Sequence, residues 1–361
     1  MRKKALVPFV LLGLLPLAAT VPAAAAGRSG PVPIAQHLNN PRQLAFGPDG
    51  ALYVAEAGTG AVNATLKGKC FSGPEGTACT GNTSSITGVW NPGTAGPNSG
   101  HRVRTGFLSI AGKDGSGAVG LDAIDFASDG TPYGIIAAAP PNSLPRLLAH
   151  QAGEVVTPGP NGGLIAVADI GRYSFTHPNA GHEPDSDPYG IAADGRWIYV
   201  VDAANNTLLK VDRETGRITT MRVFPYRHGS MGIDTVPTSV VIGPVDHMLY
   251  VGTLASFAPG AAKVYVINPD NGRIVRTISG LTTVSAVAVG VDGTVYAAEL
   301  FAGCAPNDHS CTPGRVAVIK PDGSRHELEA PLPGGVAVNE GHLYVSVLAV
   351  VPGGGAVWRM W

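Results

Sequence analysis

The stretch PRQLAFGPDGALYVAEAG, residues 41–58, carries the pattern that decides the fold. A short apolar run ends at Phe46, the chain turns at Asp49-Gly50, and a second apolar run follows around Tyr53. Asp-Gly suits the tight turn of a two-residue hairpin, because both residues accept a positive φ. The second run then ends on a carboxylate, Glu56. The stretch therefore predicts two short strands joined by a tight turn, with an acid where the second strand ends.

The same pattern returns along the whole chain. Copies start near residues 41, 121, 187, 236, 284 and 334, and each has an apolar run, a tight turn and a second run that contains a tyrosine. The turn is Asp-Gly in four copies, Val245-Asp246-His247 in the fourth copy and Glu340-Gly341 in the sixth. Repetition of one unit is the sequence signature of a repeat architecture.

More strand segments follow the copies. Residues 207–224, 262–279 and 314–329 each have the pattern of a hairpin with a glycine in its turn. Each unit is therefore predicted to hold four strands connected as a meander, of which the first two are apolar on both faces and the last two are more polar. This gradient is typical of a propeller blade, whose inner strands are sandwiched and whose outer edge faces water.

We predict an all-β protein, a six-bladed β-propeller of four-stranded antiparallel blades, with a loop insertion at 59–104. The sixth copy is followed by one more strand, AVWRM (356–360), and the segment PVPIAQHL (31–38) has strand character ahead of the first copy. We expect this N-terminal strand to complete the last blade and close the ring, which would cover the open edges. The alternatives are a twisted open array and a two-sheet sandwich.

The composition fits this fold class and limits the partners. Of 361 residues, 44% are hydrophobic and 14% charged, and there are 49 Gly and 30 Pro. Such a turn-rich chain argues against a helical protein. The formal net charge is −1, so no broad basic surface is expected and the composition disfavours nucleic acid or an anionic membrane as partner. We expect a monomer.

The first 26 residues have the organisation of a signal peptide. Residues 2–4 are basic, an apolar stretch runs from Ala5 to about Ala19, and Ala23–Ala26 supply a small-residue cleavage site. The alternative is an uncleaved membrane anchor, but the apolar stretch is short for a spanning helix. We therefore expect one propeller domain over 27–361 with no membrane span, secreted or held in the cell envelope.

The cysteines agree with export. There are four, in two close pairs, Cys70 with Cys79 and Cys304 with Cys311. An even number in an oxidising compartment favours disulfides, and the short separations favour bridges within each pair. The alternative is a four-cysteine zinc site, which the sequence disfavours because zinc sites usually have closer spacing.

Several longer segments resemble one family. They are NNPRQLAFGPDGALYVAEAG (39–58), VVDAANNTLLKVD (200–212), VPTSVVIGPVDHMLYVGTLASFAPGAAKVYVI (236–267) and GHLYVSVLAVVPGGGAVWRM (341–360), behind a signal peptide. Together they resemble the ScyD/ScyE family of secreted six-bladed propellers with NHL-type or TolB-like repeats. The chain departs from the family pattern at Thr253, where the family has an acid, and at Ser174, where a glutamate is frequent. The resemblance implies the fold and export; propellers host many functions, so it does not imply a reaction.

Carboxylates recur at one place in the repeat. In a blade the first strand starts on one face of the disc, here called the top, and the second strand returns to it, so Glu56, Asp202 and Glu299 are expected at the top axial mouth. With Asp169 and Asp187 they could bind calcium, since oxygen ligands suit hard cations. In that case they should be nearly unpaired by basic residues. The alternative is that they cap backbone N–H groups at strand ends or face solvent.

Three functions remain open at this stage. The first is an exported binding protein with a small molecule in the top mouth. The second is a calcium-dependent lactonase like the gluconolactonases, with the metal polarising an ester carbonyl. The third is a structural protein that binds an envelope component. No G-x-S-x-G motif is present, and His177 and His182 share an acidic loop that is more simply a polar surface. No catalytic residue is assigned.

Overall fold

The computed structural model describes residues 30–73, 76–161, 163–179, 183–226, 233–303 and 313–361. The predicted signal peptide and the pair Cys304 and Cys311 lie outside these residues. The described part is all-β, with antiparallel sheets that are mostly four-stranded, as the repeat predicts. This arrangement is consistent with a β-propeller. No described helix is long and apolar enough to cross a membrane.

The strands are grouped into sheets that follow the repeats. The first strand, β1 (Val32–Leu38), belongs to the last sheet. Sheet 1 holds β2 (Pro41–Phe46), β3 (Leu52–Glu56), β4 (Lys67–Gly73), β5 (Gly76–Val89) and β6 (Gly100–Gly112). Sheet 2 holds β7 (Leu121–Phe126), β8 (Pro132–Ile136), β9 (Glu154–Pro158) and β10 (Leu164–Asp169). Sheet 3 holds β11 (Pro188–Asp194), β12 (Trp197–Asp202), β13 (Thr207–Asp212) and β14 (Ile218–Val223).

The remaining sheets have the same order. Sheet 4 holds β15 (Pro237–Ile242), β16 (Leu249–Thr253), β17 (Ala262–Ile267) and β18 (Ile274–Leu281). Sheet 5 holds β19 (Val284–Val289), β20 (Val295–Glu299), β21 (Arg315–Ile319) and β22 (Arg325–Glu329). Sheet 6 holds β23 (Gly335–Asn339), β24 (His342–Val347) and β25 (Gly355–Arg359), and β1 pairs antiparallel with β25.

The Asp-Gly turn and the tyrosine of the repeat act together. In sheet 1, Asp49 accepts a hydrogen bond from the backbone N–H of Ala51 at 3.2 Å and another from the hydroxyl of Tyr53 at 3.0 Å. Asp246 does the same in sheet 4, where the hydroxyl of Tyr250 donates at 2.8 Å. In these two sheets, the turn carboxylate therefore fixes both the bend and the tyrosine of the returning strand.

The apolar core lies between sheets. Each large cluster of buried side chains joins two sheets that are consecutive in the chain, and one cluster joins sheet 6 to sheet 1 through residues such as Ile34, Val54 and Tyr344. The first strands of the sheets contact one another in the same order, and β2 contacts both β7 and β23. Side chains on both faces of the inner strands are therefore buried, as the apolar sequence of these strands predicts.

The prediction that residues 59–104 form a loop is wrong, because strands occupy much of this segment. This segment contains β4, β5 and the start of β6, and β5 pairs with β3, β4 and β6. The strands were missed because β5, GTACTGNTSSITGV, has few large apolar side chains and so lacks the alternation of a half-buried strand. The predicted Cys70–Cys79 disulfide is present and joins β4 to β5.

A short helix also departs from the expectation of an all-strand chain. Helix α1 (Ile170–Thr176) follows β10 at the top of sheet 2. Asp169 caps it, because its side chain accepts a hydrogen bond from the backbone N–H of Arg172 at 2.7 Å. Three 3-10 turns, Pro141–Ser143, Arg146–Leu148 and Ala255–Phe257, lie in other connections. A helix this short has no long 3.6-residue period, so only its aspartate cap was visible in sequence.

Candidate functional site

The three recurring carboxylates occupy equivalent positions at the top of their sheets. Glu56, Asp202 and Glu299 are each the last residue of a second strand, and each lies opposite the first residue of the neighbouring first strand. All three side chains are fully buried. A buried carboxylate needs hydrogen-bond partners, because desolvating an unpaired charge is very costly. The partners found for each acid decide whether it can bind a ligand.

Glu56 is held by an arginine from the inserted strands. The guanidinium of Arg102 on β6 donates to both carboxylate oxygens, at 3.0 Å to Oε1 and 2.7 Å to Oε2. The hydroxyl of Thr87 donates to Oε1 at 2.6 Å, and the backbone N–H of Asn39 donates to Oε2 at 2.7 Å. Glu56 therefore ties the outer strands of sheet 1 to the chain that enters β2.

Among the described residues, Asp202 has four hydrogen-bond donors, and none of them is an arginine. The hydroxyls of Ser174 and Ser186 each donate to Oδ2 at 2.7 Å. The backbone N–H groups of Asp187 and Asn205 each donate to Oδ1 at 3.0 Å. Asp202 therefore joins α1, the chain that enters β11 and the loop that follows β12. Ser174 supplies one of the two hydroxyl donors.

Glu299 repeats the arrangement of Glu56 in sheet 5. Arg315, on the neighbouring strand β21, donates from Nε at 2.6 Å, and the backbone N–H of Thr282 donates to the other carboxylate oxygen. In all three sheets the acid accepts an N–H from the chain just before the first strand. The recurring carboxylate is thus a strand cap, which was the alternative interpretation of the sequence.

The prediction that these acids are nearly unpaired by basic residues is wrong for Glu56 and Glu299. Both form ion pairs, at 2.7 Å with Arg102 and 2.6 Å with Arg315, in which the carboxylate is buried and the arginine side chain is partly exposed. The physical reason is burial, because the acids lie inside the sheet edge and not in a wet mouth. In the described part of the chain, no three or more His, Cys, Asp or Glu side chains are grouped to hold a metal ion.

The other predicted residues fall in different places. Asp169 is the cap of α1, described above. His177 stacks on the ring of Tyr173, with centroids 4.2 Å apart, and His182 lies outside the described residues. Asp187 comes directly before β11 and its side chain is partly exposed. Among the described residues, Asp187 is the one of the five predicted acids whose carboxylate caps no backbone N–H and forms no ion pair.

Two buried charged residues act electrostatically on or with Asp187. Arg42, on the first strand of sheet 1, lies 3.5 Å from Asp122, on the first strand of sheet 2, and both are buried. The guanidinium of Arg42 also donates to the backbone oxygens of Ala118 and Ala349, so it joins sheets 1 and 6 to the chain that enters sheet 2. We call Arg42, Asp122 and Asp187 the mouth cluster, because each belongs to the top of a first strand or the residue before it.

The charges of the mouth cluster act on one another. Burial raises the pKa of Asp187 to about 7, the negative charges of Asp202 and Asp185 add to the rise, and Arg42 opposes it. Burial raises the pKa of Asp122 well above its usual range, against the opposing charge of Arg42, and Asp187 adds to the rise. Near neutral pH the mouth therefore presents a carboxyl group that both donates and accepts protons.

Below the cluster, a side chain crosses between distant sheets. The amide of Gln43, on sheet 1, donates to the backbone oxygen of Thr238, on sheet 4, at 2.7 Å. The hydroxyl of Thr238 in turn donates to the backbone oxygen of Val284 on sheet 5 at 2.6 Å. These buried bonds join first strands of three different sheets.

Sequence reasoning missed Arg42, Gln43 and Asp122. A signal was available, since PRQLAF and LDAIDF carry opposite charges at the second position of two consecutive apolar first strands. A charge inside a buried strand needs a partner, and the repeat places these two positions on neighbouring strands.

Comparisons with known proteins give only distant structural likenesses. No protein-family model matches the chain, and no curated protein sequence matches it. One similar solved chain comes from a nidogen/laminin complex, with 14% identity, a TM-score of 0.47, and coverage of 75% of this chain and 84% of that chain. A Bacteroides thetaiotaomicron protein of unknown function has 14% identity, a TM-score of 0.47, and coverage of 88% and 82%. Regucalcin, a calcium-binding protein from Agrobacterium tumefaciens, has 12% identity, a TM-score of 0.48, and coverage of 92% and 93%. With TM-scores below 0.5, these likenesses carry no argument about function.

Proposed function

We propose that this chain is an exported β-propeller binding protein of the ScyD/ScyE type, with a small-molecule ligand in the top axial mouth. Residues 1–26 would be a signal peptide, and 27–361 one six-bladed domain closed by β1. Closure is supported by the pairing of β1 with β25 and by the apolar cluster between sheets 6 and 1. Export is supported by the N-terminal sequence and by the Cys70–Cys79 disulfide.

The observation that carries the proposal is the mouth cluster. Asp187 is partly exposed, its charge is coupled to the buried residues Arg42 and Asp122, and its pKa is raised to about 7. Strongly shifted pKa values are typical of functional positions. A carboxyl group in this state suits a ligand with hydrogen-bond donors, such as an amine or a polyol. Asp187 directly precedes β11, and its backbone N–H is held by Asp202 at the end of β12.

A calcium-dependent hydrolase fits the same face less well. Such a site would have to recruit carboxylates from several sheets, as calcium takes many oxygen ligands. Glu56 and Glu299 are paired with arginines, and Asp202 is saturated by four donors. Binding calcium there would break the caps that hold the chain entering the first strands. We therefore favour binding without a metal.

The experiment combines one variant with a small set of probes. The purified chain is titrated with 1,4-diaminobutane, glucose and, as anionic control, acetate, and binding is followed by NMR chemical shifts. We expect at least one of the two donor probes to bind at the top, acetate to bind weakly or not at all, and Asp187→Asn to weaken the donor probe about tenfold or more. The control Asp270→Asn changes an exposed aspartate in the same way and should leave binding unchanged. Failure of both donor probes, or equal binding by the two variants, would overturn the proposal.

A further inference from the structure

A cleft lies between sheets 1 and 2, away from the top mouth. Its volume is about 220 Å³, and it extends from the first and second strands of sheet 2 outward to β6 and β10. The lining is mostly apolar and includes the rings of Tyr53, Phe107 and Phe126. Val103 and Ile165, on the two strands that border the rim, are 46% and 47% exposed. The cleft is therefore an apolar space that is open at the side of the molecule.

The cleft lies where one second strand, β8, departs from the repeat. In five of the second strands, a tyrosine is flanked by two aliphatic side chains that are fully buried. These pairs are Leu52 and Val54, Ile198 and Val200, Leu249 and Val251, Val295 and Ala297, and Leu343 and Val345. In β8 the same positions hold Pro132 and Gly134, and both line the cleft. This repeat therefore lacks the side chains that fill the other sheet interfaces.

The missing side chains would have pointed toward sheet 1. Alternate residues of a strand face opposite sides of the sheet, so the two flanking positions share one face. In sheet 1 the flanking residues Leu52 and Val54 pack with side chains of sheet 6. In the order of contacts between sheets, sheet 6 comes before sheet 1, as sheet 1 comes before sheet 2. By the same register, Pro132 and Gly134 face sheet 1. A Cβ at Gly134 would lie 2.7 Å from Cδ1 of Leu121, so that leucine already leans into the vacant position.

The rim adds a positive charge. Among the described residues that line the cleft, Arg104 alone is charged. Its guanidinium donates from Nη2 to the backbone oxygen of Gly163 at 3.0 Å, so it reaches from β6 across to the turn before β10. The aromatic wall is fixed, with the rings of Tyr53 and Phe126 5.0 Å apart and Trp90 6.3 Å from Tyr53. The hydroxyl of Tyr53 is bonded to Asp49, which orients its ring.

We propose that this cleft is a second binding site, for a small monocyclic aromatic carboxylate. An apolar cavity of about 150 Å³ is large enough for benzene, so one substituted ring fits the space between the sheets. The aromatic walls contact the ring edge to face, and Arg104 at the rim attracts the carboxylate. The site does not depend on the proposed function of the top mouth, since no residue of the mouth cluster lines it.

Gly134→Val is the variant that tests the site. Valine restores the residue found at the equivalent position of four other sheets, and Gly134 does not have a positive φ, so a strand side chain is tolerated there. The contact with Leu121 is to the end of a side chain, which can turn away. We expect the variant to fold, and phenylacetate to bind at least tenfold more weakly than to the parent. Gly134→Ala should give an intermediate loss if the valine is too large for folding.

The matched controls use calorimetry or ligand-detected NMR. Ala297→Val makes a similar enlargement at the equivalent position of sheet 5 and should leave phenylacetate binding unchanged. The uncharged analogue phenylacetamide should bind the parent more weakly than phenylacetate, and Arg104→Gln should remove that difference. The proposal is overturned if the parent does not bind phenylacetate, if Gly134→Val and Gly134→Ala bind it as well as the parent does, or if the amide binds the parent as tightly as the acid.

Discussion

Replacing Asp202 with asparagine gives the most informative test of the strand caps. The change keeps the size of the side chain and removes its charge. Oδ1 still accepts from the backbone N–H groups of Asp187 and Asn205, and the hydroxyls of Ser174 and Ser186 can turn to accept from the new amide. Four hydrogen bonds to a charged acceptor thereby become bonds between neutral groups.

The expected cost follows from these bonds. A hydrogen bond to a charged group contributes about 1.5–3 kcal/mol and a neutral one about 1 kcal/mol, so over four bonds Asp202→Asn should lower the free energy of unfolding by roughly 2–8 kcal/mol. Asp202→Ala leaves all four donors without an acceptor and should cost at least about 4 kcal/mol. Asp270→Asn, at an exposed position, should change stability by less than about 0.5 kcal/mol.

The assay is urea unfolding followed by tryptophan fluorescence, with calcium present in one series and a chelator in the other. The cap predicts the order parent, Asp202→Asn, Asp202→Ala in both series, with no effect of calcium on any of them. The reasoning is refuted if calcium stabilises the parent and Asp202→Asn abolishes that stabilisation. It is also refuted if Asp202→Asn is as stable as Asp270→Asn.

Three further predictions concern the ring, the disulfide and the mouth. A chain that starts at Asn39 lacks β1, exposes the edge of β25 and loses two large buried aliphatic side chains, so it should lose roughly 3–6 kcal/mol of stability in urea; unchanged unfolding would contradict closure. Replacing Cys70 and Cys79 with serine opens a short loop and should lower the free energy of unfolding by about 2–3 kcal/mol by the chain-entropy model. Equal urea midpoints for the variant and the parent would show that the disulfide does not stabilise the fold. Protonated Asp187 is favoured in the fold, because its pKa is raised to about 7, so this group's contribution to stability is greatest at low pH and falls as pH rises from 4 to 7. Asp187→Asn should therefore match the parent near pH 4 and exceed it at pH 8 by at most about 4 kcal/mol, and a constant difference across pH would contradict the shift.

The fold was largely predictable because its signals are local. Asp49 and Tyr53 are four residues apart and bond to each other, so the turn and the returning strand are visible in one short window. The start of each first strand lies within one residue of its predicted position, at Pro41, Leu121, Pro188, Pro237, Val284 and Gly335. The same short pattern occurs in each sheet, so these strands can be predicted without knowing which residues are in contact across the fold.

The chemistry of the carboxylates was less predictable because their partners are distant in sequence. Arg102 lies 46 residues after Glu56, and Arg315 lies 16 residues after Glu299. The interpretation as unpaired acids considered only neighbours in the chain. The pairing of Glu299 with Arg315 follows from strand register, which depends on the length of the intervening loop, and the pairing of Glu56 follows from strands that the sequence did not reveal.

The side-chain deficit at Pro132 and Gly134 was present in the sequence but had no meaning without the structure. The repeat alignment shows that these positions differ from the other copies. Only the packing shows that the flanking positions face the preceding sheet, and that a cleft remains there although Leu121 leans toward Gly134. The departure at Pro132 and Gly134 thus indicates a candidate binding site only once the packing between sheets 1 and 2 is known.

The central claim is that the top mouth presents Asp187 as the group that meets a ligand. The most direct measurement is an NMR titration of the Asp187 carboxyl carbon with pH, with and without 1,4-diaminobutane. The account predicts a midpoint near pH 7 in the free protein, since burial and neighbouring acids raise this pKa, and a lower midpoint when the ammonium group of the probe stabilises the ionised form. A midpoint near the ordinary value of 3.8 that the amine does not move would contradict it.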